Sequence, residues 1–181
     1  MRRVSVLCVG KLKERFYAEA VSEYAKRLGR YCKLDLVELA EQRLPESPTP
    51  AEVERALARE AEVIREKVPS GAWVIALCIE GSLYSSEKLS GLLETWGRER
   101  RLVFLIGGSF GLHPSLKAQA HAQLSMSPMT FPHHLARVML LEQLYRGFQI
   151  QEAGSTTNRR SPGLPLTAAR GFSSFIAPLV R

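Results

Sequence analysis

Residues 124–146 read LSMSPMTFPHHLARVMLLEQLYR, a polar, sulfur-rich loop joined directly to an apolar helix. The helical half carries Leu135, Val138, Met139, Leu140, Leu141, Leu144 and Tyr145, followed by Phe148. Apolar side chains around most of a helix place it either in the centre of a core or in a subunit interface. Thr130 reads as its N-cap and Pro132 as a first-turn residue, where the missing N–H costs nothing. The loop thus brings free backbone N–H and C=O groups to a helix start, flanked by Met126, Met129 and Phe131. Such a surface suits a flat, partly apolar ligand such as adenine; the alternative is that Met129 and Phe131 belong to the core. His133 and His134 are neighbours pointing about 100° apart on a helix, so at most one faces a given site. Arg137, Glu142 and Arg146 are either satisfied there by ion pairs or act on a substrate.

Outward from this stretch, apolar runs and amphipathic segments alternate. RVSVLCVG, LDLVEL, WVIALCIEG, RLVFLIGG and AQLSMS read as strands. The continuous apolar character of the third suits burial on both faces. Between them lie helical patterns: RFYAEAVSEYAKRLGRY, with Tyr17, Val21, Tyr24 and Leu28 on one face, then AEVERALAREAEVIREKV, SEKLSGLLETWGRER capped by Ser85 or Ser86, and HPSLKAQA. This βα alternation predicts an α/β fold, a parallel sheet with helices on both faces. Residues 1–150 form the expected domain. Residues 151–181, with one acidic residue and several Gly, Ser and Pro, read as a divergent, poorly ordered extension.

The 181 residues are 45% hydrophobic and 24% charged, ordinary for a globular chain. WVIALCI is too short to span a bilayer, and the apolar start is too short for a secretory signal, so the expected location is cytoplasmic. Cys8, Cys32 and Cys78 are odd in number and contain no CxxC pair, which predicts buried thiols rather than disulfides or a zinc site. The formal net charge is +7. Up to Lys33 nine Lys/Arg stand against three Glu, a basic end that either faces phosphates or is a solvated helix face.

In an open α/β sheet, ligands bind beyond the carboxyl ends of the strands. Three such ends stand out: Leu77–Gly81, Gly107–Gly111 (GGSFG) and Ser125–Pro132. GGSFG follows the fourth strand and lacks the GxGxxG spacing, which disfavours a Rossmann-type oxidoreductase.

With these loops placed, the chain resembles the RlmH-type (YbeA-like) family of SPOUT-class methyltransferases. The match runs from about Val4 to Ile150, through VGKLKERFYAEAVSEYAKRLGRYCKL, LCIEGSLYSSE, FLIGGSFGL and LSMSPMTFPHHLARVMLLEQLYRGF. The resemblance implies S-adenosylmethionine-dependent methylation of N3 of a pseudouridine in large-subunit (23S) ribosomal RNA, without a metal. It also implies a parallel-sheet SPOUT fold with a C-terminal deep trefoil knot, and a homodimer. Cofactor contacts carry over to Leu77, Gly107, Gly108, Met126, Ser127, Pro128, Met129, Thr130 and Phe131. His133 and Arg137 are the candidates for catalysis, and Lys11, Lys13 and Arg15, just after the first strand, for RNA.

The chain also departs from that family, whose members end on a Pro-Tyr-His-Lys/Arg-like tail reaching the active site. Here the region reads QEAGSTTNRRSPG, with no Tyr or His after Tyr145. This expects a frameshifted or otherwise altered C-terminus that leaves cofactor binding intact and weakens catalysis. Two alternatives follow: a catalytically impaired ribosome-binding or assembly protein of the same fold, and a SPOUT enzyme acting on transfer RNA.

Overall fold

A computed structural model describes residues 1–98 and 100–159. The order is β1 (Arg2–Val9), α1 (Arg15–Leu28), β2 (Cys32–Leu39), α2 (Pro50–Lys67), β3 (Trp73–Leu83), α3 (Ser86–Trp96), β4 (Leu102–Ile106), α4 (Pro114–Gln119), β5 (Ala122–Ser125) and α5 (His133–Arg159). The strands form one sheet in the order β2-β1-β4-β3-β5, with every pairing parallel.

Alternation along the inner strands creates two cores. Val4, Val6 and Cys8 of β1 and Leu102, Phe104 and Ile106 of β4 meet α1, α3 and α5. Leu7, Val9, Val103 and Leu105, one residue out of phase, meet α2 and α4 on the other face. β1→α1→β2 and β3→α3→β4 step one way across the sheet over the first face. β2→α2→β3 and β4→α4→β5 step the other way over the second. All these crossovers therefore share one hand, as a twisted parallel sheet requires. β3 and β4 send their chains to opposite faces, so a crevice opens beyond their carboxyl ends.

Burial on both faces belongs to β4, whose five residues are all buried, rather than to β3. In β3 only Ile75 and Ala76 are buried, and Ile79 is 53% exposed. The cause is a register break: Leu77 and Ser82 both pair with Leu124, and the residues between them leave the ladder. Gly81 is needed there, because a Cβ would stand 2.7 Å from the Leu124 backbone.

Local signals start the helices. Thr49 and Glu52 form a reciprocal capping box on α2, and the Ser85 hydroxyl accepts from Lys88 N–H on α3. At α5 the expected cap is displaced: Pro132 supplies the first accepting carbonyl, to Ala136 N–H at 2.9 Å, and Thr130 lies upstream. Leu140, Leu141, Leu144 and Phe148 are buried between α1 and α3, so this face of the helix lies in the core, while Leu135, Val138, Met139 and Tyr145 are half-buried.

α5 also continues past Ile150 to Arg159, so the expected boundary falls inside a helix. Tertiary contacts hold the turn just past Ile150: Gln151 donates to Ser90 O at 2.6 Å and bonds Arg2, while Glu152 accepts from Arg30 at 2.8 Å and Tyr31 at 3.2 Å. Residues 160–181 of the expected extension lie outside the described residues. Cys8, Cys32 and Cys78 are free thiols; the first two are buried, and burial pushes both up to about 11. Among the described residues no helix is long and apolar enough to cross a membrane.

Candidate functional site

The carboxyl ends of β3, β4 and β5 and the start of α5 enclose a cavity of about 670 Å³. This lies within the roughly 300–1,000 Å³ typical of small-molecule sites. All three loops singled out in the sequence contribute. Leu77, Gly107, Gly108, Met126, Ser127, Met129, Thr130 and Phe131 line the cavity; Pro128 does not. The cavity also takes in Ile79, Glu80 and Phe110, which lie in the loops singled out but outside the carried-over contacts, and Lys117, which the sequence reading missed. Gly81, at the end of an apolar run, was the available signal for the bulge that turns Ile79 and Glu80 inward.

Each loop is held by its own bonds. GGSFG closes on itself, Gly111 N–H donating to Gly108 O at 3.0 Å. Gly107 is required for that closure, since a Cβ there would lie 2.2 Å from Gly111 backbone atoms, while Gly108 makes room for the Glu41 carboxylate. From the loop after β2, the Glu41 carboxylate accepts Ser109 N–H at 2.7 Å. Burial pushes that carboxyl up, but hydrogen bonding to Ser109 and the nearby His133 and His134 outweigh it, leaving Glu41 below the usual carboxylate range. In the third loop Ser125 Oγ donates to Ser127 O and Met129 N–H to Ser127 Oγ, both at 3.0 Å. Lys117 of α4 bonds Glu80 and holds its carboxyl low.

Of the two histidines, only His133 lines the cavity. Its ring packs against Gly10, while His134 turns towards Tyr17 and has Nδ1 3.8 Å from Glu14. Burial lowers the His133 pKa, helped by His134 and Arg137, with Glu41 and Glu14 opposing. Its imidazole is therefore neutral at neutral pH and able to accept a proton.

Arg137, the other catalytic candidate, is 2% exposed and does not line the cavity. It donates to Glu38 at 2.5 Å and to Gly10 O at 3.0 Å, tying α5 to the ends of β1 and β2. Arg146 likewise pairs with Glu142. Replacing Arg137 with Met removes the side-chain donor to the Gly10 carbonyl and the counter-charge of Glu38, which keeps the Leu12 N–H and contact with solvent, and is expected to cost about 1–3 kcal/mol of stability by urea unfolding. An unfolding midpoint matching wild type contradicts this structural role.

Lys11, Lys13 and Arg15 are exposed on and beside the β1–α1 loop, at the cavity end of the sheet. Among the described residues no group of three or more His, Cys, Asp or Glu is placed to hold a metal ion.

A family described as "Predicted SPOUT methyltransferase" matches residues 2–155. The protein named ribosomal RNA large subunit methyltransferase H of Clostridium beijerinckii is 43% identical over 149 residues, 81% of this chain and 94% of that protein. Its namesake in Bifidobacterium animalis subsp. lactis is 44% identical over the same fractions. Among solved structures, a probable methyltransferase from Bordetella pertussis superposes with a TM-score of 0.53, at 14% identity over 81% of this chain and 95% of that one. A probable methylase family protein from Haemophilus influenzae gives 0.50, at 14% identity over 91% and 72%. At such identities these structures speak for the fold alone.

Proposed function

The chain belongs to the SPOUT methyltransferase family, and from that premise we propose that it methylates N3 of a pseudouridine in large-subunit ribosomal RNA, using S-adenosylmethionine. The observation carrying this reading is the convergence of three strand-end loops and the start of α5 on one cavity.

The donor set fits the cofactor. Ile79, Phe110 and Met129 offer apolar walls to an adenine, with hydroxyl and backbone groups of the Ser125–Thr130 loop between them. Leu77, the Gly107–Gly108 pair and the Met126–Phe131 loop, Pro128 excepted, would hold the adenosine. When bound, the sulfonium supplies a methyl group, which the ring nitrogen accepts as the carbon–sulfur bond breaks. The work left to this chain is alignment, exclusion of water and removal of the N3 proton. His133, neutral and facing the cavity, is the residue we assign to take that proton.

A cytoplasmic location and the homodimer and deep trefoil knot of the resembled family complete the proposal. The parallel five-stranded sheet is compatible with such a knot.

The test is transfer from labelled S-adenosylmethionine to ribosomes of a strain lacking the modification, with calorimetric cofactor binding alongside. Label recovered as N3-methylpseudouridine is the expected result. Label on transfer RNA instead, or cofactor binding without any transfer, overturns it in favour of one of the two alternatives.

A further inference from the structure

The chain leaves β1 at Gly10, directly against the ring of His133 in the cavity wall, and runs through Lys11–Glu14 into α1. Among the described residues neither Lys11 nor Lys13 makes an ion pair, whereas Arg15 is engaged by Glu19 at 2.6 Å. The charge available to a partner is therefore that of the two lysines. Glu14, the nearby acid, lies towards His134.

Phe16 is the unexpected member of this segment. It stands in the first turn of α1, 62% exposed, although the helix has an apolar face on which Val21 and Leu28 are buried. Its ring begins a line of rings. Phe16 and Tyr17 have centroids 4.2 Å apart, Tyr17 and His134 5.8 Å, and His134 and His133 3.9 Å. The line runs from solvent, three and five residues along the chain from the exposed Lys13 and Lys11, to the cavity wall.

A flat apolar face beside unpaired lysines is the combination that grips single-stranded nucleic acid, the rings stacking on bases and the cations holding phosphates. We propose that Lys11–Phe16 is a docking platform for single-stranded RNA flanking the methylated nucleoside. Lys11 and Lys13 hold its phosphates and Phe16 stacks under a neighbouring base, leaving the target free to enter the cavity at His133. This rests on the methyltransferase reading and adds a surface and a residue to it. Stacking accepts any base, so the platform contributes affinity and register, and the cavity selects the nucleoside.

The experiment compares full-length wild type, Phe16→Ala, Phe16→Trp and the double variant Lys11→Ala/Lys13→Ala. Binding to purified large subunits lacking the modification is measured by filter retention across a salt series, with cofactor affinity, thermal midpoint and sedimentation recorded for each. Phe16→Ala is expected to bind about tenfold more weakly and Phe16→Trp like wild type. The double lysine variant should shallow the slope of log affinity against log salt by about 1.4. Cofactor affinity and thermal midpoint stay at wild-type values. Phe16→Ala binding within about twofold of wild type overturns the proposal. So does a Phe16→Ala protein that loses cofactor affinity or changes its sedimentation, since the ring then serves the fold or contact between copies of the chain. Wild-type protein that binds subunits but never labels them counts against the enzymatic reading; the binding comparisons still decide the platform.

Discussion

His133→Gln is expected to slow methyl transfer about 10²- to 10³-fold while leaving the fold intact. The residue lines the cavity at the start of α5, half-buried and packed on Gly10. Burial, then His134 and Arg137, pull its pKa below the ordinary value of 6.5, with Glu41 and Glu14 opposing. A base must be unprotonated to accept the N3 proton, so wild-type rates should fall on acidification through a pKa below 6.5, and the variant should lose that limb. The same shift links to stability. The folded state binds fewer protons than the unfolded chain between the lowered value and 6.5, so His133 disfavours folding progressively as pH falls through that window. At neutral pH it carries no such penalty. Single-turnover rates from pH 5 to 8 at saturating ribosomes test the assignment. A variant with an unchanged rate, or an unchanged acid limb, places the base elsewhere.

Gly107→Ala should abolish measurable cofactor binding and cost about 2–3 kcal/mol of stability. The added Cβ would meet Gly111 C and O at 2.2 Å and its Cα at 2.7 Å, all backbone, so no side-chain rotation relieves it. The turn must open, breaking Gly111 N–H to Gly108 O and shifting Ser109 from Glu41. Gly111→Ala is the control. Gly111 has φ +78° but nothing within 4 Å of its would-be Cβ, so that substitution adds backbone strain alone, about 1 kcal/mol. Urea unfolding and calorimetric titration of both variants measure the difference. Equal effects show that backbone conformation, rather than closure of the turn on itself, governs this loop.

Period and punctuation determined the order and type of the elements. The alternation of apolar runs with i, i+4, i+7 faces predicts five strands and five helices, and the structure has them in that order. Those are local signals, carried by each segment's own propensity and by residues such as Ser85, whose cap bond reaches only Lys88. The three strand-end loops were legible for the same reason, because a parallel sheet brings all its carboxyl ends to one side.

What the tertiary structure decided depends on partners distant in sequence. Strand order makes β4 central and leaves the end of β3 to the cavity, although WVIALCI is as apolar as LVFLI. The break pairing both Leu77 and Ser82 with Leu124 brings Ile79 and Glu80 to the cavity; Gly81 marks the bulge, but nothing within β3 specifies its register against β5. Arg137 looked available for chemistry until the ends of β1 and β2 brought Gly10 and Glu38 to it across about a hundred residues or more. Just past Ile150, Arg2, Arg30, Tyr31 and Ser90 meet Gln151 and Glu152 of α5 from distant parts of the chain. Local propensity is written in neighbouring residues; register, burial and the fate of a charge depend on groups that only folding brings together.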